Sequence, residues 1–296
     1  MEGSLVLISI GSWDWVAQAI ENEKAGINSM FTGINNILSK SVIYDKLIEG
    51  IPDEVKSAFG AIALTLITLF VLVDFIHKSM DLKWVTWENV LMFFIKIIIA
   101  KICVDNAEFI MSCIYKGFNS LTESLAGTIT DIIPRSTGEG YEYFLSPRDV
   151  GILSQKPQIN WYDFTPVGMW LLIIVQGFIM KAIMAVTLII TLARFMELTI
   201  YTIAAPLPLS TLACDGLQDI GKSYLKSYAA CCIHAAILLL IFTAYSVLNT
   251  VLASPDLINA MSCFSVTGFL GIIKTFILGG TVMKSEQWSK RICGAL

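Results

Sequence analysis

The chain has 296 residues, of which 55% are hydrophobic and only 15% are charged, and its formal net charge is -4. Soluble domains carry about 25% charged residues. This chain therefore has too few charges to cover a soluble core of its size, and lipid is the expected solvent. The acidic balance gives no electrostatic basis for nucleic-acid binding. Composition predicts an all-α polytopic membrane protein.

The N-terminal segment, residues 1–56, precedes the long apolar runs and contains an amphipathic helix. Apolar residues recur at the i, i+3, i+4, i+7 spacing between Ile27 and Leu38, which is the pattern of one helix face. The segment holds eight acidic residues against four lysines. We therefore expect it to pack on the membrane interface or on a partner rather than on anionic lipid.

About five apolar segments have the composition of transmembrane helices. The first two form a hairpin, and the last contains glycines and small polar residues that permit close helix contact. Between the second and the third lies a polar segment, 105–162, which begins as a continuation of the second helix and ends in a Pro-, Gly- and Ser-rich loop. The five are Ala58–Val73, Val90–Val104, Val167–Leu192, Tyr228–Ala253 and Met261–Met283.

A sixth apolar run, Leu198–Leu212, is interrupted by Pro206 and Pro208. It is shorter than the roughly 20 residues that a perpendicular transmembrane helix needs. Prolines remove backbone donors and end helices, and such backbone is tolerated at membrane depth only where protein or water covers it. The run is expected to be a proline-broken re-entrant segment buried in the bundle, with a sixth full span as the alternative.

Lysine and arginine in short loops mark the cytoplasmic side of a membrane protein. With five spans, the basic regions 78–83, 194–226 and 284–291 fall on one side, while the connection 254–260 has no lysine or arginine and falls opposite. The N-terminus is then outside and the C-terminus cytoplasmic. The expected organisation is 1–56 outside, 57–104 as the first two spans, 105–162 outside, 163–283 as a bundle containing 198–212, and 284–296 as a cytoplasmic tail.

Four lysines and one histidine fall inside the predicted spans: Lys96, Lys101, Lys181, His234 and Lys274. A lysine at mid-bilayer costs about 2.5–3.5 kcal/mol on insertion scales, so each needs a reason. Lys96 and Lys101 are expected to snorkel or pair, or else to face a water-lined interior. Lys181 and Lys274 lie either near an interface or against the bundle interior or a subunit contact. His234 is interpreted as a packed hydrogen-bonding residue, because the span interiors contain no Asp or Glu for a proton relay.

Motifs for catalysis are absent from the sequence. It contains no His-Glu-x-x-His, Gly-x-Ser-x-Gly, Walker A or Gly-x-Gly-x-x-Gly pattern. With only two histidines, a histidine-based metal site is not expected. The seven cysteines are interpreted as small packing residues. We expect a protein that is not an enzyme and that carries no cofactor other than a bound phospholipid.

The stretch from Lys181 to Leu240 combines three features. A long apolar helix leads to Arg194-Phe195-Met196-Glu197, the broken run Ile203–Leu209 follows, and a basic step, Lys222–Tyr228, precedes the next span. This arrangement resembles the central region of the TrbL-type polytopic inner-membrane subunits of type IV secretion machines, which drive bacterial conjugation.

The resemblance implies a non-catalytic channel or assembly subunit in the bacterial cytoplasmic membrane. It would form a homo-oligomer, most simply a ring, and would contact the secretion ATPase, pilin-like or bitopic subunits and membrane lipids. Nucleic acid would be touched only transiently. The competing hypotheses are a small-molecule or ion transporter with a midplane site around Lys181, His234 or Lys274, and a membrane scaffold or immunity-type protein without a conduit.

The residues of this region also suggest a structural role of their own. Arg194 and Glu197 are three apart on a helix and can pair at the membrane edge. Lys222 and Lys226 are four apart on one face and can hold anionic lipid headgroups. Together with the proline break, they predict a lipid-gripping elbow that fixes the angle between spans.

Overall fold

A computed structural model of the protein describes residues 22, 26, 29–38, 40–80, 87–132, 165–214, 216–252 and 267–295. These residues are all-helical, with no β-strand among them. A helical segment spans 29–38, and a 3₁₀ turn at Thr211–Ala213 follows α6. The labelled helices are α1 (Val42–Glu49), α2 (Asp53–Met80), α3 (Trp87–Asp105), α4 (Ala107–Ile132), α5 (Thr165–Ala204), α6 (Pro206–Ser210), α7 (Gln218–Leu252) and α8 (Thr267–Ile292).

Three of these helices are long and apolar enough to cross a membrane, over Asp53–Met80, Ile174–Ala213 and Gln218–Tyr245. The expected all-helical, membrane-embedded class is therefore confirmed in outline, and the number of five spans stays a prediction. Helix α3, which contains the predicted second span, is not among these three helices and carries four charged residues in its 19 positions. The predicted last span begins at 261, before the described residues resume at 267.

The three apolar helices differ in how much of their surface the protein itself covers. In the most apolar stretch of α7, 67% of the residues are buried, against 17% in α2. On α2 and α3, leucine, isoleucine and phenylalanine side chains such as Leu72 and Phe94 are more than half exposed. Most of the apolar stretch of α7 is therefore covered by the protein itself. The exposed apolar faces of α2 and α3 need cover from lipid or from another protein.

The third predicted span does not end near Arg194. Helix α5 continues for 40 residues to Ala204, a length of about 60 Å at 1.5 Å per residue. Residues 198–204 contain neither glycine nor proline, so nothing in the local sequence stops the helix before Pro206. Arg194 and Glu197 consequently lie inside a continuous helix rather than at its end.

The break does occur at the two prolines. Ala205 separates α5 from the five-residue helix α6, where Pro206 occupies the first turn and its missing N–H costs nothing. The backbone N–H of Leu209 still bonds to the carbonyl of Ala205 at 3.1 Å, so the chain stays helical across the break. Leu209 and Ser210 are buried, and α6 and the 3₁₀ turn pack against α2 and α3.

Helix α4 follows α3 after a single turn residue, Asn106, as the predicted continuation of the second helix requires. Its apolar side chains are divided between surface and interior, because Phe109 is 68% exposed and Leu121 is 48% exposed, whereas Met111 is fully buried. The exposed apolar side chains need cover from lipid or from another subunit.

The chain packs as two compact units. One comprises Met1–Ile37, Leu125–Ile190 and Leu238–Lys284, and the other comprises Leu38–Ser124, Thr191–Ile237 and Ser285–Leu296. The predicted division by membrane side stays a prediction. The loop expected at 134–161, the connection at 254–260 and residues 1–21 lie outside the described residues.

In the first of these units the amphipathic N-terminal helix is present over 29–38. Ile34 is 3% exposed, and the Phe31 ring meets the Phe242 ring edge-on at 5.1 Å. In the same unit α8 approaches α5 closely at Gly279, where a β-carbon would lie 3.0 Å from Cδ1 of Ile183. The small residues of the last predicted span thus permit the close helix contact that was expected.

Candidate functional site

The second unit contains a polar cluster where four helices meet, close to the proline break. The hydroxyl of Tyr44 in α1 lies 2.9 Å from Oγ1 of Thr202 in α5 and 3.1 Å from the hydroxyl of Tyr228 in α7. The Tyr228 hydroxyl donates to the backbone carbonyl of Met111 in α4 at 3.1 Å. Both tyrosines are fully buried, so the cluster joins α1, α4, α5 and α7 through one connected set of bonds.

The directions of two hydrogen bonds in this cluster are fixed by carbonyl acceptors. Thr202 donates to the carbonyl of Leu198 at 2.8 Å and Tyr228 donates to that of Met111, so the single hydroxyl proton of Tyr44 is shared between Thr202 and Tyr228. Burial raises the pKa of Tyr44, which keeps its phenol protonated and able to donate. The Tyr44 ring also stacks on Tyr115 at 3.9 Å between centroids. The cluster is therefore a neutral structural junction.

Arg194 makes a second link between α5 and α7. Its Nε donates to the carbonyl of Cys231 at 2.8 Å and its Nη2 to the carbonyl of Cys232 at 3.1 Å. The residue is 5% exposed, and its Nη1 has no hydrogen-bond partner in the described part of the chain. Helical carbonyls have a second lone pair, so they accept these bonds without leaving their own ladder.

The predicted pairing of Arg194 with Glu197 does not occur in this geometry. Arg194 is buried and donates to α7 carbonyls through Nε and Nη2, while Glu197 is exposed and accepts a weak bond from Sγ of Cys231 at 3.6 Å. The i, i+3 spacing allows a pair on a solvated helix face. Here tertiary contacts turn the arginine inward, toward backbone carbonyls instead of a carboxylate.

The break and the start of α7 are packed with little free space. A β-carbon on Gly221 would lie 3.0 Å from the carbonyl oxygen of Pro208 and 3.0 Å from Cδ2 of Leu212. Among the predicted basic anchors, Lys222 pairs with Asp219 at 3.5 Å on the surface, and Lys226 is exposed. The structure thus brings the proline segment against the first turn of α7 and leaves both lysines accessible.

The polar residues predicted inside spans have varied surroundings. Nε2 of His234 lies 2.7 Å from the hydroxyl of Ser285, and both residues are buried. Lys181 is half-buried, and a β-carbon on Gly26 would lie 3.7 Å from its Cε. Lys274 is 4% exposed. Lys96 is half-buried and Lys101 is exposed, and their snorkelling stays a prediction.

The second unit also contains a cleft of about 410 Å³ that sequence reasoning did not anticipate. The start of α2, the α3–α4 junction and the α5–α6 break form its walls. No pattern in the sequence brings these three regions together, since residues near 57, 105 and 203 are remote along the chain. In the described part of the chain no group of three or more His, Cys, Asp or Glu side chains is placed to hold a metal ion.

The described residues form an all-helical protein with three helices long and apolar enough to cross a membrane, and a buried neutral junction and an arginine link join several of its helices. Comparisons with protein-family models, with curated proteins and with solved structures gave no significant match. The six described cysteines are free thiols; Cys263 lies outside the described residues.

Proposed function

We propose that this protein is a non-catalytic integral-membrane subunit of a TrbL-type conjugative type IV secretion machine, acting in the translocation channel or in pilus assembly. The sequence resemblance over Lys181–Leu240 supplies the family. The observation that carries it is the Arg194 link, because the arginine of the resembling motif is buried at the α5–α7 contact just before the proline break. A buried cation costs energy, so its presence there favours a specific architectural role.

The apolar surfaces support assembly with other copies. The exposed apolar faces of α2 and α3, together with Phe109 and Leu121 on α4, exceed what an isolated chain in water tolerates. Part of this surface faces lipid in the proposal, and part contacts neighbouring subunits in a homo-oligomeric ring. The ATPase and pilin-like or bitopic subunits are its other proposed partners, and nucleic acid passes only transiently.

The proposed topology keeps five spans, an external N-terminus and a cytoplasmic C-terminus in the bacterial cytoplasmic membrane. The contacts of Tyr44 with Thr202 and of the Tyr228 hydroxyl with the Met111 carbonyl count against this assignment of sides, because positions 44 and 111 are predicted outside and 202 and 228 at the cytoplasmic side. The proline segment 206–213 is proposed as the re-entrant part, supported by its packing against α2 and α3. Two of the basic regions support a shared side, because Lys290 lies near enough to Glu197 and Tyr201 to interact electrostatically. Lys222 and Lys226 are accessible for anionic headgroups there.

The test is a mating assay with a strain from which this gene is deleted. We expect deletion to lower conjugation by several orders of magnitude and the wild-type gene to restore it. Arg194→Glu is expected not to restore transfer, whereas the matched control Arg291→Glu, an exposed charge reversal in the C-terminal tail, restores it. Normal transfer in the deletion strain would refute the secretion role, and full rescue by Arg194→Glu would refute the elbow.

One observation favours a transporter as the second candidate. Lys274 is 4% exposed within α8, and buried intramembrane cations often belong to substrate or ion paths. Purified protein reconstituted in liposomes would then carry small solutes or ions, and Lys274→Met would abolish the flux. Under the secretion proposal, the isolated protein shows no such flux.

A further inference from the structure

The cleft near the proline break has a polar end and an apolar end. Lys56, Asp105 and Glu108 contribute its charged groups, while Leu64, Val104 and Ile203 line its apolar part. Its volume of about 410 Å³ lies within the roughly 300–1,000 Å³ range of small-molecule sites. Gly60 also lines it, and a β-carbon there would meet nothing within 4 Å, so the missing side chain leaves room.

The order of these residues along the helices indicates which end of the cleft lies deeper in the membrane. On α2, the charged residues Asp53 to Lys56 precede the apolar run that begins at Ala58, and on α3 the apolar run ends at Val104 just before Asp105. Asp53–Met80 is one of the candidate membrane spans. The charged end of the cleft therefore falls at the level of lipid headgroups, and the apolar end at the level of acyl chains.

The charged end contains one cation among several carboxylates. Nζ of Lys56 lies 3.2 Å from Oε1 of Glu108 and 3.9 Å from Oδ1 of Asp53. The Lys56 side chain is 22% exposed, whereas that of Glu108 is 51% exposed and open to a further partner. An ammonium group has three donors, so Lys56 can hold Glu108 and still donate to an oxyanion.

We propose that this cleft binds a zwitterionic glycerophospholipid whose headgroup ends in a primary amine. Its phosphate accepts a hydrogen bond from Lys56, and its ammonium donates to Glu108 and Asp105. Its glycerol and upper acyl carbons lie along Gly60, Leu64 and Val104, and the rest of its chains covers the exposed apolar surface of α2 and α3.

Charge decides between lipid classes. An anionic headgroup without an amine would bring its negative charge to two carboxylates that nothing in the ligand balances, which disfavours it. A quaternary choline headgroup has the balancing charge but no N–H to donate, so it loses the charge-assisted hydrogen bonds that roughly double the strength of a neutral bond. The primary amine satisfies both requirements.

The experiment measures lipid retention by the full-length protein. The protein is purified in mild detergent, exchanged into mixed micelles with equal amounts of phosphatidylethanolamine, phosphatidylcholine and phosphatidylglycerol, and examined by native mass spectrometry. We expect the wild type to retain phosphatidylethanolamine about tenfold over the other two, equivalent to one or two charge-assisted bonds. Glycerophosphoethanolamine and inorganic phosphate, added alone, are expected not to compete, because both lack the chains.

Two variants locate the site. Glu108→Gln is expected to remove the preference for phosphatidylethanolamine, while Glu88→Gln, an exposed carboxylate away from the cleft, keeps it. Gly60→Leu fills the cleft and is expected to abolish retention, whereas Gly117→Leu, also a helical glycine with nothing within 4 Å, retains the lipid.

Equal retention of all three lipids by the wild type would overturn the proposal, as would identical behaviour of Gly60→Leu and Gly117→Leu. Competition by inorganic phosphate would overturn the proposal of a lipid ligand and indicate a site for a free anion. If Glu108→Gln does not give a monodisperse protein, the wild-type preference and the glycine pair decide alone.

Discussion

At the residue scale, the two buried links of the second unit differ in the kind of group they use. The tyrosine–threonine junction is neutral, whereas Arg194 carries a charge that interacts with two backbone carbonyls and with the nearby Phe195 ring, 5.4 Å from its Cζ. Neutral junctions tolerate the loss of one hydrogen bond better than a buried site tolerates a reversed charge. Mutations at the two sites should therefore lower the stability of the protein by very different amounts.

Arg194→Glu should be the most disruptive of these changes. It would set a carboxylate against the carbonyl oxygens of Cys231 and Cys232, and we expect a loss of about 3–5 kcal/mol. Arg194→Met removes the charge together with its desolvation cost, so we expect a change within about 1.5 kcal/mol. Thermal stability of the detergent-purified proteins, followed by size-exclusion chromatography, measures both. An equal loss of stability in the two variants would show that the reversed charge at position 194 is not the cause.

Tyr228→Phe should cost about 1 kcal/mol, because the Met111 carbonyl loses a donor and Tyr44 loses a neighbour while the ring packing is kept. The matched control is Tyr201→Phe, since the Tyr201 ring packs on Tyr224 but no described group bonds to its hydroxyl. A thermal shift of a few degrees is expected for the first variant and none for the second. Equal shifts would show that the hydroxyl network contributes nothing.

At the element scale, the proline break depends on close packing between α6 and the start of α7. Pro206 and Pro208 end the hydrogen-bond ladder of α5, but the buried Leu209 and the tight approach at Gly221 hold the following segment in place. The position of this segment is therefore held by contact as well as by the prolines. This makes Gly221, rather than a proline, the most sensitive position at which to test that contact.

Gly221→Ala is expected to destabilise the protein by about 1–3 kcal/mol, because the new methyl group would press on the Pro208 carbonyl and on Leu212. Gly117→Ala is the control, because a β-carbon there meets nothing within 4 Å. In mid-helix that change should stabilise by about 0.4–1 kcal/mol. A loss of thermal stability in Gly221→Ala together with a gain in Gly117→Ala would support the close contact. A gain of stability in both variants would contradict it.

At the scale of the whole molecule, reporter fusions test the predicted number of spans. With five spans, an alkaline phosphatase fusion after residue 140 is expected to be active and a C-terminal green fluorescent protein fusion to be fluorescent. A phosphatase inactive at 140 beside a fluorescent C-terminus would favour the sixth crossing at 198–212. Cys113, exposed on α4, offers a native site for thiol labelling to check the same side independently.

Local properties of the sequence predicted the helical class and the places where the described helices run. Too few charges for a soluble surface, long apolar runs and two prolines near 206 are such properties, and the helical fold of the described residues, the three helices long and apolar enough to cross a membrane and the break follow from them. The amphipathic helix ending at Leu38 was predictable for the same reason, since helical periodicity is written in neighbouring residues.

Only the tertiary structure decided which side chains meet. The spacing of Arg194 and Glu197 favoured a local pair, yet the arginine turns to α7 because buried donors there find carbonyls from a distant part of the chain. The tyrosine junction and the cleft near the proline break likewise combine residues more than 90 positions apart, such as Tyr44 and Thr202, or Lys56 and Pro206. Composition and periodicity carry no information about such encounters, because they arise only when helices pack.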